Sequence, residues 1–487
     1  MLYNSFIFIF AYLPIVLIGW YVLNRFKAHN TAIGWLVISS LFFYGYFNWS
    51  YLPIIVISVI ANYILSIFIR PDEKYRLHDK VKKLLLIFGL LGNVGILFYY
   101  KYFDFFAQNI NALFKTDFTM LNLLLPLGIS FFTFQQISYI VDSYQGKQSK
   151  CSLLEYAVFV TFFPQLIAGP IVLHSEVIPQ FQNIENRKFN SDNFAKGLCA
   201  FSIGLAKKVL VADTFAKAAD YGFANIEGLG TVNALIVMLS YTFQIYFDFS
   251  GYCDMATGIG KFFNINLPMN FNSPYKAVTI TDFWKRWHMT MTRFFTTYIY
   301  IPLGGSRKGK IRTYINVMIV FLVSGLWHGA NWTFILWGGV HGIANVLTRI
   351  FKERIDKWHA AFSWLLTFTF VNVTWIFFRA DSISKAVRFI KEIVWLNITP
   401  VLSEIKDAFV LPEFSFILKW IGKAGYTYYI WAVFIIISLC ACLQARNTNE
   451  RLDNFKPTAG NAAVCAVILV WGIISLSGVS TFLYWNF

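Results

Sequence analysis

Residues 311–350, IRTYINVMIVFLVSGLWHGANWTFILWGGVHGIANVLTRI, read as two apolar runs, 313–327 and 332–350, hinged at Trp327-His328-Gly329. Such runs belong in hydrocarbon, where a helix satisfies its own backbone groups. Outward from this pair, further runs lie at 5–23, 33–50, 51–69, 84–100, 119–141, 154–173, 230–249, 361–378, 428–444 and 461–483. Shorter apolar pieces at 102–114, 195–211 and 408–421 suit interfacial or re-entrant helices. Composition agrees: with 57% hydrophobic and only 14% charged residues, the chain lacks the polar surface to cover a soluble globule. The expected fold is an all-α integral membrane bundle of about 10–12 spans with added re-entrant or interfacial helices.

The net charge of +16 does not point to nucleic acid, because the cations sit in short loops between apolar runs. Arg25 and Lys27, the group Arg70 to Lys83, and the segment 276–312 therefore face the cytoplasm. That places the N-terminus outside, and Arg446, Arg451 and Lys456 ahead of the last run place Phe487 outside as well. The first run lacks a small-residue cleavage site and reads as a retained anchor. The six cysteines show no metal or disulfide spacing, and no repeat or soluble segment divides the chain. It reads as one membrane domain over 1–487, with a motif-dense core at about 163–342.

That core changes character at YTFQIYFDFSGYCDMATGIGKFFNINLPMNFNSPY, residues 241–275. Gly251, Gly258, Gly260, Pro268 and Pro274 are expected to break the helix, and polar broken backbone at membrane depth implies a buried cavity. Asp248 and Asp254 have two readings: catalytic groups, or helix caps and partners of Lys261 or Arg286.

DFWKRWHMTMTRFFTTYIYIPLGGSRKGK follows at 282–310. With Thr279, Thr281 and Asp282 suited to an N-cap, the spacing predicts one helix from Phe283 to Tyr300. On it Trp284, His288 and Met291 share an inward face, with Lys285, Thr292 and Thr296 on another side. His328 ends the next helix, where Gly329 can stop it. His341 opens a second His-Gly pair. No HExxH or acidic third ligand accompanies these histidines, so no metal is expected. His29, His78, His174 and His359 sit in loops or at span edges, where a solvated or interfacial role suffices.

FPQLIAGPI at 163–171, PQF at 179–181, QIYFDFSGYCDMATGIGKFF, NFNSPY, TDFWKRWHMTMTRFF, YIPLGGSRKG and SGLWHGANWTFILWGGVHG together resemble the membrane-bound O-acyltransferase superfamily. The resemblance is to its bacterial alginate O-acetyltransferase branch, related to the D-alanyl transfer proteins of teichoic acid modification. It implies tilted helices around a through-membrane tunnel, with His328 catalytic and His288 at an auxiliary polar position. Cys253, Thr290 and Thr292 stand where the branch more usually carries Ser.

The chemistry asks for a base to take a hydroxyl proton and a stabiliser for the oxyanion. Enclosure by Trp327, Trp332 and Trp337 suits His328 to the neutral form a base needs. His288 is expected to orient the acyl carbonyl or donate to the oxyanion. Lys285, Arg286, Arg307 and Lys308 are the candidates for the phosphates of acetyl-CoA, the expected donor; no permanently bound cofactor is expected. Asp248, Asp254, Trp327, Trp332 and His341 are supporting candidates.

The expected activity is acetyl transfer from cytoplasmic acetyl-CoA, across the cell membrane, to an extracytoplasmic polysaccharide. The resemblance adds polysaccharide synthesis machinery and an extracytoplasmic SGNH-type partner that completes the transfer. It also makes Tyr484, in the terminal STFLYWNF, a candidate acyl carrier; an interfacial aromatic belt explains the same residues without catalysis. Transfer of D-alanine or another acyl group from a carrier protein is the alternative reaction. Outside enzymes, a transporter, flippase or scaffold for a secreted acetyltransferase is the alternative class, though the polar breaks cluster at 241–342 and do not recur as repeats.

Overall fold

The computed structural model describes residues 1–71, 77–147, 151–411, 413, 429–476 and 482–483, and every regular element among them is helical. The chain is an all-helical, multi-pass membrane protein. Among the described residues six helices are long and apolar enough to cross a membrane: Phe8–Arg25, Trp49–Ile69, Asp79–Phe114, Gly230–Phe262, Lys310–His328 and Ala360–Arg379. Ile430–Gln444 and Ala459–Ile474 are shorter apolar helices.

Several boundaries differ from the apolar pattern. The runs 84–100 and 102–114 form one rod, Asp79–Phe114, continued through a π-helical turn at Phe98–Tyr102, so 102–114 is no separate interfacial piece. The run 119–141 is helical only from Ile129, because Pro126 and the left-handed Gly128 reset the chain first. In the run 154–173 the helix Leu153–Thr161 stops at Phe162 ahead of Pro164, and after the turn Phe163–Leu166 the buried chain runs on without regular structure. Most of 408–421 and residues 477–481 of the run 461–483 lie outside the described residues.

Two reversals lie in the motif-dense core. Gly230–Phe262 is one unbroken helix through Gly251, Gly258 and Gly260. Its glycines admit neighbours: a Cβ on Gly251 would lie 2.8 Å from Gly204 O, and one on Gly258 would lie 2.6 Å from Gly197 O. The expected single helix Phe283–Tyr300 is instead broken into Ile280–Arg286, Met289–Phe295 and a π-turn at Thr296–Tyr300.

The chain packs as two compact units, one of residues 1–201 and 253–268, the other of residues 202–252 and 269–487. In the first, Leu52–Ile69, Asp79–Leu97 and Ile129–Tyr144 are joined by buried amides: Asn93 Nδ2 donates to Asn62 Oδ1 at 2.7 Å, and Asn62 Nδ2 donates to Gln136. The second carries the aromatic core, in which Trp287, Trp337 and Trp375 are fully buried.

Candidate active site

All the elements around His328 belong to the second unit. The helix Lys310–His328 packs along Trp332–Ile350 at glycine distance: a Cβ on Gly325 would lie 2.4 Å from Phe334 O. Extended backbone at Gly329 ends the first helix. His328, the last helical residue, is buried with ring centroids of Trp327, Phe378 and Trp337 at 4.8, 5.1 and 5.2 Å. Trp332 is 53% exposed, so the expected trio of tryptophans is replaced as an enclosure by Trp327, Trp337 and Phe378.

His288 sits at the helix break. Thr279, not Asp282, caps the first segment, its Oγ1 accepting from Asp282 N at 3.1 Å, and the Asp282 carboxylate accepts from Arg286 Nε at 2.9 Å. Trp287 is extended and His288 adopts φ 46°, a left-handed conformation costly for a non-glycine residue. Asn270 holds it there. Its backbone oxygen accepts from Met289 N at 2.9 Å, and its Oδ1 accepts from Thr290 N and Oγ1 at 3.3 and 2.9 Å. The same Oδ1 lies 3.1 Å from His288 Nδ1. A backbone N–H can only donate, so this Asn270 atom is the oxygen, and the Nδ1 facing it carries a proton. Nε2 of a neutral His288 is then an acceptor.

His288 is fully buried and inward, as its position beside Trp284 suggested, and the Trp327 indole lies 6.0 Å from its ring. One indole thus touches both His288 and His328.

His341 is also fully buried, but both its nitrogens are engaged. Trp284 Nε1 donates to Nδ1 at 3.2 Å, which leaves the proton on Nε2, 3.0 Å from Thr374 Oγ1. It supports the packing of three helices.

A cavity of about 250 Å³ lies between these elements, lined by Trp284, Lys285, Thr292, Ser324, Asn345 and Arg349 among others. Trp284 and Met291 line this space together with Lys285, Thr292 and Thr296, so the two sides expected of this stretch share one cavity. Lys285 and Arg349 are exposed at its rim, with Arg349 Nε donating to buried Asn345 Oδ1 at 2.9 Å. Ser324 is buried, one helical turn before His328, and its Oγ has no hydrogen-bond partner among the described residues. Of the four cations expected to meet a donor, Lys285 lines this cavity, Arg286 is engaged with Asp282, and Arg307 and Lys308 lie exposed in the turn before Lys310.

Asp248 pairs with neither Lys261 nor Arg286. Its Oδ1 lies 2.7 Å from Nζ of buried Lys208, which also reaches Asp213 Oδ1 at 2.8 Å, while its Oδ2 accepts from the backbone N–H of Leu483 at 2.8 Å. Phe482 stacks near Tyr252 and Phe249, and the Phe249 ring lies 4.9 Å from His288. Tyr484 lies outside the described residues. Asp254 is buried in the first unit. His174, expected at a solvated edge, is buried there too, its Nε2 3.1 Å from Asp142 Oδ2.

Sequence reasoning missed Asn345 and Arg349, although His341, Asn345 and Arg349 recur at four-residue spacing on one helix. Ser324, at the same spacing before His328, carried the same signal.

The chain matches the model of the membrane-bound O-acyltransferase family over residues 143–383, a range that includes all these histidines. It is 43% identical to the peptidoglycan O-acetyltransferase of Helicobacter pylori, across 100% of this chain and 98% of that protein. Identity to the probable alginate O-acetylase AlgI of Pseudomonas aeruginosa is 36% across 80% of this chain and 74% of that protein. The teichoic acid D-alanyltransferase of Bacillus subtilis is 27% identical across 50% of this chain and 63% of that protein.

Proposed function

The chain belongs to the membrane-bound O-acyltransferase family, and from that premise we propose that it takes acetyl from cytoplasmic acetyl-CoA and passes it across the membrane for O-acetylation of an extracytoplasmic glycan. The observation that carries the reading is the buried His328 one turn beyond Ser324, which lines a cavity that Lys285 and Arg349 also line. One helical turn is about 5.4 Å, so a thioester lying in that cavity brings its carbonyl toward the imidazole.

In the proposed step an acceptor hydroxyl oxygen attacks the thioester carbonyl while His328 takes the hydroxyl proton. The carbon–oxygen bond forms, the carbon–sulfur bond breaks, and the proton passes from His328 to the departing thiolate. General-base assistance of this kind contributes roughly 10²–10⁴-fold. With Nδ1 protonated toward Asn270, neutral His288 assists as an acceptor that orients the hydroxyl. Ser324 Oγ is the donor available to the developing oxyanion. Lys285 and Arg349, which line the cavity, suit the donor's phosphates.

The positive-inside pattern supports a cytoplasmic face for the basic segment 307–312 and an external side for both termini. Full-length similarity to a peptidoglycan O-acetyltransferase favours a peptidoglycan-type acceptor, reached through an SGNH-type extracytoplasmic partner and the polysaccharide machinery of the cell membrane. A second reading adds Tyr484 as a covalent acetyl carrier, supported by the anchoring of Leu483 on Asp248 and of Phe482 beside the ring that touches His288. Its ester would form as the Tyr hydroxyl replaces the thiolate, and a glycan hydroxyl would later displace it.

Reconstituted protein given labelled acetyl-CoA inside the vesicle and peptidoglycan glycan with the extracytoplasmic partner outside tests the reading. Label on the external glycan is the expected result. Label transferred only when the donor is a D-alanyl carrier protein would replace acetyl with that alternative.

A further inference from the structure

A second concavity, of about 770 Å³, lies in the first unit, far along the chain from His288 and His328. Its lining brings the end of the first span, Tyr21 to His29, against the segment Ile184 to Phe189. Arg25, Lys27, His29, Arg187 and Lys188 all line it, and among the described residues no acidic one does.

Glu185 and Glu155, acids of the same unit, are already engaged. Glu185 pairs with Lys188 at 2.9 Å, and Glu155 accepts from Ser152 N at 2.7 Å and from Gln182 Nε2 at 2.9 Å. Arg187 donates one Nη2–H to Gln182 O at 2.9 Å, but its buried Nε has no partner among the described residues. Lys27 sits at φ 59° in the left-handed turn that closes the first span, where Ala28 N donates to Leu23 O at 3.1 Å. Cations gathered on a concave wall with a guanidinium N–H left over are suited to a phosphate, which accepts several charge-assisted bonds at once.

The remaining walls say which phosphate. Val22, Phe189 and Ile184 line the same space and are 45, 59 and 64% exposed, and the ring of Tyr21 meets Phe189 at 5.6 Å. A soluble phosphate gains nothing from such apolar rims, whereas an amphiphile places its chains on them. We propose that this groove binds the phosphate head of an anionic glycerophospholipid, with Lys27 and Arg187 as its principal contacts. The assignment is independent of the acyl-transfer reading.

The test uses the full-length protein in nanodiscs of phosphatidylcholine titrated with phosphatidylglycerol, with retained lipid measured by native mass spectrometry. Lys27→Asn combined with Arg187→Gln, where Asn tolerates the left-handed backbone, should weaken phosphatidylglycerol retention by about thirtyfold. Removing equal charge from the exposed Lys80 and Lys83, as Lys80→Gln with Lys83→Gln, should leave retention unchanged. If the double groove variant does not purify as a monodisperse species, Lys27→Asn alone carries the test, with about a fivefold weakening expected. Equal losses in both pairs would reduce the groove to general surface charge and overturn the proposal. Groove-dependent binding of inorganic diphosphate or adenosine 3′,5′-bisphosphate without retention of phosphatidylglycerol would overturn it in favour of a soluble phosphate.

Discussion

Asn270 Oδ1 lies 3.1 Å from His288 Nδ1, and because it also accepts the Thr290 backbone N–H it decides which nitrogen of that imidazole is the acceptor. Asn270→Ala removes both the tautomer lock and the cap of the helix behind it. The expected effect is a fall in kcat of about 10²-fold or more with KM for the donor nearly unchanged, since an imidazole in the wrong tautomer still leaves the donor site intact. Steady-state kinetics of acetyl release decide it; a rise in KM at constant kcat would mean that Asn270 serves binding alone.

The cavity between Lys285 and Ser324 makes a separable claim about the donor. Arg349→Gln should raise donor KM by about tenfold at little cost in kcat, consistent with one lost charge-assisted contact to a phosphate. Ser324→Ala should lower kcat by about 10²-fold through the lost oxyanion donor, while Ser324→Leu should abolish turnover by filling the space. A fully active Ser324→Leu enzyme would place the donor elsewhere.

The tail offers a third test. Tyr484→Phe keeps the aromatic surface but removes the hydroxyl, so it should stop transfer to the glycan if acetyl passes through an ester there. Leu483→Pro removes the N–H that Asp248 accepts and should lower transfer with Tyr484 intact. Normal acetylation in both variants would leave the terminal aromatics as an interfacial belt.

Stability should respond unequally to two lysines. Lys208 is nearly buried between Asp213 and Asp248, and Lys208→Ala leaves two carboxylates without their cation, a loss of about 3–5 kcal/mol. Lys385 pairs with Asp381 at 2.7 Å, but the side chains are 50 and 70% exposed, so Lys385→Ala should cost no more than about 0.5 kcal/mol. Thermal unfolding in detergent, at matched detergent concentration, compares them; similar Tm values would mean that water reaches the Lys208 cluster.

The helical class, the burial of His288 and His328, and the stop at Gly329 were legible because each depends on neighbours in sequence. The break at Trp287–His288 was not, because the groups that cap it come from Asn270, eighteen residues earlier. Glycines at 251 and 258 looked like breaks on local propensity, yet they relieve contact with Gly204 and Gly197, which only tertiary packing brings near. His174 looked like an edge residue until Asp142, thirty-two residues away, supplied its partner. The same limit hid the Lys208–Asp248 pair and the return of Leu483 to it.

The central claim is that His328 is the base. Measuring labelled acetyl release from acetyl-CoA by folded, monodisperse His328→Gln protein, beside His341→Gln as a buried-histidine control, tests it most directly. A loss of roughly 10²–10⁴-fold or more in kcat is expected for His328→Gln, with donor binding retained and a far smaller loss for His341→Gln. Turnover of His328→Gln at the unmodified rate, or equal losses in the two variants, would contradict it.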